Sequence, residues 1–373
     1  MVPESIRLGL VAFAGAALLA SSADARPRGE DSTVFVHTAL GGFILGYDID
    51  QDGTEGVLCE ALTLPNGNHD VAVETFDPAT GAILKIVRKI LNTQHDFVTI
   101  GIAGRSVGLV EFEHVSGIFV DQRSYVTLDP LALNAFTDRW NPPLGATDLL
   151  DAMSANQDGS FNAFLALHAN SDTVVFASNV GANTFGPLIT VNDPVFSFFN
   201  SPRMALDQVK QRAVLASSNG CVFCRPKIGF VDLATGAQSG FPGLGLGYVN
   251  GLAVDSATRV ACTSTEIDFR VQFYDLDTQS GFSVPIPGAV SQAHSGKTVE
   301  LDPLNRLFLV GQPISSTGPG SSIQVFDEQG HFVESINGLS LPSSTVKFAL
   351  QPALRTGFVV VAPNLTELQS FTY

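Results

Sequence analysis

Leu252-Ala-Val-Asp255-Ser-Ala-Thr-Arg259-Val-Ala-Cys-Thr263 decides how this chain folds, because Val299-Glu-Leu-Asp302-Pro-Leu-Asn-Arg306-Leu-Phe-Leu-Val310 repeats its plan forty-seven residues later. Each copy is an apolar run ending in Asp, a short polar turn, and a second apolar run beginning at Arg or just after it. Met204-Ala-Leu-Asp207 with Arg212 to Ser217 is a third copy, forty-eight residues before the first. Phe348-Ala-Leu-Gln351 with Gly357 to Ala362 is a degenerate fourth, forty-nine residues after Asp302. A further apolar run closes the complete units on Asp and a turn: Phe230-Val-Asp232-Leu-Ala-Thr-Gly236, Phe273-Tyr-Asp275 and Val325-Phe-Asp327-Glu-Gln-Gly330. Several short strands in a period of 40 to 50 residues are the signature of a propeller blade.

Working outward, weaker copies are read at Asp77, Glu113 and His168, giving seven anchors from Asp77 to Gln351. The expectation is a single all-β propeller, seven blades favoured, with six or eight left open by the uneven early spacing. Strand-like runs at Thr33 to His37 and Phe43 to Asp48 precede the first anchor, and the last copy runs out at Tyr373. An N-terminal strand that completes the last blade would close the ring and remove an exposed sheet edge.

The phrases Gly251-Leu-Ala-Val-Asp255 and Val299 to Val310, with later Asp-x-x-Thr-Gly turns, resemble the repeats of the NHL, YVTN and lactonase-like propellers. The resemblance covers most of the chain beyond the N-terminus. It implies the ring, and by analogy either a lactonase-type hydrolase or a pure binding ring, since fold alone does not fix activity.

Composition agrees with an all-β chain and excludes other classes. Of 373 residues, 45% are hydrophobic and only 15% charged, with 35 Gly, 20 Pro and 27 Phe, which excludes a disordered chain. A net charge of −16 without a run of Lys or Arg excludes a nucleic-acid surface. Arg7, the apolar stretch Leu8 to Ala20 and the A-x-A site Ala23-Asp24-Ala25 read as a signal peptide over residues 1–25, which leaves residues 26–373 as the propeller. The expected location is therefore periplasmic or extracellular, and no later apolar run reaches membrane-spanning length. In an oxidising compartment Cys59, Cys221, Cys224 and Cys262 are disulfide candidates, with connectivity open among three pairings.

Two constellations are candidates for chemistry. Counted from the anchors, His69 and His294 fall eight residues before theirs, and Glu111 and Glu300 two before, where other copies mostly carry Ala. If the repeats are in phase, two imidazoles and two carboxylates gather at one mouth of the ring, a ligand set for a divalent transition metal. The alternative leaves them as solvated strand and loop polars. Separately, Asp48-Ile-Asp50-Gln-Asp52-Gly53 resembles the first half of a calcium loop, although Cys59 stands where such a loop has Glu. Its plainer reading is a hairpin turn. Calcium or another divalent metal is thus the cofactor these patterns imply. No phosphate-binding glycine loop or H-E-x-x-H occurs. Two functions stay open: an exported ring that binds a protein or small ligand without catalysis, or a metal-dependent hydrolase or lactonase at the channel mouth.

Overall fold

The computed structural model describes residues 33–49, 53–91, 95–103, 106–115, 118–126, 149–155, 162–167, 173–179, 184–191, 203–218, 223–289, 296–313, 321–342, 347–361 and 364–373. These residues form seven antiparallel sheets, one per blade, within the compact unit Val34–Tyr373. Blade 1 comprises Phe43–Ile49, Gly56–Thr63, His69–Phe76 and Ile83–Leu91, numbered here from first (innermost) to fourth (outermost) strand. Blade 2 comprises His95–Ala103, Ser106–Val115 and Ile118–Val126. Blade 3 has Leu149–Ala155, Asn162–Leu167 and Thr173–Asn179, the last paired with both Thr184–Phe185 and Ile189–Val191. Blades 4, 5 and 6 follow the plain four-strand plan. Blade 4 runs through Arg203–Asp207, Arg212–Ser217, Lys227–Asp232 and Gln238–Pro242. Blade 5 runs through Val249–Asp255, Val260–Thr265, Arg270–Asp275 and Ser280–Pro285. Blade 6 runs through Thr298–Asp302, Leu307–Gln312, Ser322–Asp327 and Phe332–Asn337.

Blade 7 takes Ala349–Gln351, Thr356–Val360 and Glu367–Thr372 from the C-terminus and its fourth strand, Phe35–His37, from the N-terminus. The closure read from the sequence is therefore the one observed. The first strand of blade 7 also lies against that of blade 1, as do the first strands of blades 1 to 6 in succession.

First strands end at Ile49, Ala103, Ala155, Asp207, Asp255, Asp302 and Gln351, so the blade step is 47 to 54 residues throughout. This corrects the phase of the early anchors. Asp77 follows the third strand of blade 1, and Asp77-Pro-Ala-Thr-Gly81 repeats the third-strand turn Asp232-Leu-Ala-Thr-Gly236. Glu113 stands inside the second strand of blade 2. His168 lies outside the described residues, immediately after the second strand of blade 3.

One turn chemistry accounts for the recurrent Asp. At Asp255 the carboxylate accepts the backbone N–H of Ala257 at 2.8 Å and of Thr258 at 3.3 Å. At Asp232 it accepts Ala234 at 3.0 Å and Thr235 at 2.7 Å. An Asp side chain that mimics a backbone turn is the reason this residue type ends a strand at a tight bend. The bend after a first strand finishes on a left-handed residue, with φ of 49° at Gln211, 65° at Arg259, 54° at Arg306 and 52° at Arg355.

The core lies between blades. Second strands are buried on both faces, as in Leu307–Gln312, while fourth strands are largely exposed, as in Ser280–Pro285. Phe273, Phe308 and Phe326 pack edge-to-face between blades 5 and 6. Phe348, Phe371 and Val359 join Leu309 and Val325 between blades 6 and 7. Each such aromatic side chain contributes about 1.5–3 kcal/mol by leaving water, which is why Phe is so abundant in this sequence.

Candidate functional site

The corrected phase separates the three described residues of the four aligned from the sequence. His69 opens the third strand of blade 1, its Nδ1 3.3 Å from Thr63 Oγ1. Glu111 is on the second strand of blade 2 and Glu300 on the first strand of blade 6. His294 lies outside the described residues. The shared register rested on Asp77 and Glu113 as first-strand ends, and neither is one. Among the described residues no three His, Cys, Asp or Glu side chains converge as metal ligands.

The acidic motif at residues 48–53 is divided. Asp50 and Asp52 lie outside the described residues. Gly53 has a φ of 71° in the bend between the first two strands of blade 1, and its carbonyl accepts the Gln351 side-chain amide at 2.8 Å. Asp48 instead faces a cation: Lys347 Nζ donates to its Oδ2 at 3.1 Å.

Around Asp48 the ring assembles a polar cluster that no local motif announces. Asp48 belongs to blade 1, Lys347 enters the first strand of blade 7, and Glu300 lies on the first strand of blade 6. Burial pushes the Glu300 carboxyl up to about 7; Lys347 opposes that and Asp48 adds to it. For Lys347 burial disfavours the charge, but Asp48 and Glu300 outweigh it and hold the ammonium above its ordinary value. The Tyr47 hydroxyl donates to the Lys347 carbonyl and accepts the Val360 N–H at 3.0 Å, which fixes the backbone that carries the lysine. An ammonium that donates to one carboxylate and is attracted by a second, whose carboxyl is pushed up to about 7, gives the cluster both donors and acceptors.

A second cluster holds the ring closed. Glu60 and Glu74 are fully buried on the blade 1 face that meets blade 7. The segment between the closing strand Phe35–His37 and the first strand of blade 1 donates to them: Leu40 N–H and Gly42 N–H to Glu60, both at 2.7 Å, and Ala39 N–H to Glu74 at 3.0 Å. Burial and the neighbouring Glu60 push the Glu74 carboxyl up to about 9. Asp70, also buried, takes Arg88 as its ion-pair partner.

Cys59 and Cys262 are buried free thiols on the second strands of blades 1 and 5, and burial pushes both thiols up. Neither therefore supplies the disulfide expected from export. The reason is position: Cys59 is fully buried, and Cys262 sits in the apolar core between blades 5 and 6. Cys224 is half-buried at the start of the segment leading to the third strand of blade 4, and Cys221 lies outside the described residues. No described helix is long and apolar enough to cross a membrane.

No protein-family profile matches the chain, and no curated protein matches it. Among solved structures it is similar to the Pan2 WD40 domain of Neurospora crassa, with a TM-score of 0.52, 13% identity, and 92% of this chain and 91% of that chain covered. At that identity the likeness is one of architecture, and with seven four-stranded or near four-stranded sheets it identifies this chain as a β-propeller.

Proposed function

We propose that this chain is an exported binding ring whose partner is a protein, seated on the end that carries the second-to-third and fourth-to-first strand connections. The observation that carries the reading is a group of exposed apolar side chains on interlocked loops at that end. Phe223 is 77% exposed before the third strand of blade 4, Leu246 is 40% exposed between blades 4 and 5, and Phe269 is 38% exposed before the third strand of blade 5. The loops are tied together: Gly243 N–H donates to Pro226 O at 2.8 Å, Gly247 N–H to Cys224 O at 3.2 Å, and Gly245 packs against Gln272 and Asp268. Rigidly held exposed aromatic and aliphatic groups are the anchors that protein interfaces use.

Connection lengths support the same end. Between described strands of one blade, bends at the opposite end run from two to six residues, whereas at this end, beside connections as short as two, residues 218–226, 313–321, 338–348 and 286–297 form connections of nine, nine, eleven and twelve. The opposite end exposes Val209, Leu304 and Leu354 singly on the bends of separate blades. Variable connections on a fixed scaffold are where binding residues concentrate. A WD40 domain as structural neighbour is in keeping with a binding scaffold.

The test places a photo-crosslinking amino acid at Phe223 or Leu246, and in parallel at Val209 or Leu304, in the chain exported by its native cells. An adduct of one defined mass from the first pair and none from the second is expected. Equal adducts from both ends, or none from the first, overturn the reading. N-terminal sequencing of the same exported material should begin near Arg26, and a start at Met1 would remove the export half of the proposal.

A further inference from the structure

We propose that the fourth strand of blade 1, Ile83–Leu91, is a docking edge for an extended acidic segment of a partner protein, which adds to the sheet as a further strand.

The strand differs from the other fourth strands described. It is nine residues long, against five for Gln238–Pro242, six each for Ser280–Pro285 and Phe332–Asn337, and three for Phe35–His37. Two of those end on proline, which removes a ladder donor, and shortness or proline is how sheet edges are ordinarily protected from pairing. Ile83-Leu-Lys-Ile-Val-Arg-Lys-Ile-Leu91 has neither proline nor glycine. Among the described residues no strand pairs with its outer edge. Leu84, Ile86 and Ile90 are 54%, 45% and 61% exposed, unusual for side chains of this size on one strand.

Charge selects the occupant. In a chain of net charge −16 this strand carries Lys85, Arg88 and Lys89 and no acid. Pairing with the third strand puts Ile86, Arg88 and Ile90 on one face, opposite Glu74, Ala72 and Asp70, and Lys85, Val87 and Lys89 on the other. Arg88 is held by buried Asp70, which leaves the exposed Lys85 and the register position of Lys89 to set the charge of the other face. A second copy of this strand would set lysine against lysine, and like charges directly opposite destabilise a strand pair. A strand with acids on one face and apolar side chains on the other satisfies both faces. Main-chain hydrogen bonds then supply affinity and the alternating side chains supply selection, as in other strand-addition complexes.

The probe is a fluorophore-labelled peptide alternating Glu and Val, added to the full mature protein and followed by fluorescence anisotropy. Saturable binding is expected, weakened by about tenfold or more in Lys85→Glu/Lys89→Glu, and unchanged in Lys210→Glu on a distant bend. The same peptide N-methylated at alternate residues keeps its charge and loses main-chain donors, so it should not bind. Circular dichroism and the thermal midpoint report whether each variant is folded, and Ile90→Ser, which removes exposed apolar surface only, gives a second loss of binding independent of charge. Equal binding of the N-methylated peptide, unchanged binding in the double lysine variant, or no binding to the unaltered protein overturns the proposal. A concentration-dependent dimer abolished by Ile90→Ser would overturn it in favour of self-pairing.

Discussion

At the residue scale the bends show how one backbone conformation carries different energetic loads. Arg259 and Arg306 occupy the same left-handed position in consecutive blades. Arg306 is more than half exposed and reaches Glu328 only at 3.6 Å. Arg259 is buried, donates to the fully buried Asp207 of the preceding blade and reaches Asp277 at 3.2 Å, while Arg212 Nε binds the same Asp207 oxygen at 2.8 Å. A left-handed non-glycine residue costs about 1–2 kcal/mol, and part of what glycine relieves is returned as unfolded-state freedom. Arg306→Gly should therefore raise stability by about 0.5–1 kcal/mol. Arg259→Gly, at the same φ, should lower it by about 2–3 kcal/mol because a buried carboxylate loses a charged donor. Urea midpoints at unchanged slope measure both, and a loss in both variants would mean that the bend tolerates no glycine for reasons other than the ion pair.

At the element scale the closing segment is held by two buried carboxyls, of which Glu74 keeps its proton well above the ordinary range. Glu74 lies well above the ordinary carboxylate value, near 4.3 in an unfolded chain, because burial and Glu60 both oppose its charge. With the folded value raised, its contribution is fully present below about pH 4.3 and is lost as pH climbs toward about 9, since the folded chain holds a proton the unfolded chain has released. Glu74→Gln keeps a donor toward Glu60 and an acceptor for Ala39 N–H without the ionisation. The variant should match the parent at pH 5, exceed it at pH 8.5, and show a flatter melting temperature between them by differential scanning calorimetry. Parallel pH profiles for parent and variant would contradict the raised Glu74.

At the scale of the whole molecule, stability depends on the joint between the two chain termini. Val36 is fully buried in the core shared by blades 7 and 1, and Phe35, Val36 and His37 pair with Gln369, Leu368 and Glu367. Removing residues 26–38 strips the outer strand from blade 7, uncovers Leu368 and leaves an apolar edge free to pair with other copies. The truncated chain should melt at lower temperature and scatter light at concentrations where the parent does not. A truncated chain as stable and monodisperse as the parent would mean that the closing strand is dispensable.

The sequence by itself determined the blade plan, because each repeat encodes its own bends: an Asp that accepts two backbone N–H groups needs only its next few residues. It also determined closure, since a strand-like run before the first blade and a three-strand remainder after the sixth have one natural partner each. The same local chemistry misled the phase in the first half. Asp ends first strands at Asp255 and third strands at Asp232 with equivalent hydrogen bonds, so Asp77 was legible as a strand end but not as which one. His69 and Glu111 were counted from wrongly phased anchors, which left Glu300, correctly phased on Asp302, without the partners read for it. Tertiary structure alone decided the sites. Asp48 and Lys347 are 299 residues apart and meet at 3.1 Å only because blade 7 returns to blade 1. Glu60 and Glu74 face a segment whose position is set by a strand pairing with the far end of the chain. Contacts made across a closed ring leave no periodic trace in the residues that make them, because their spacing is set by the closure of the circle and not by the repeat.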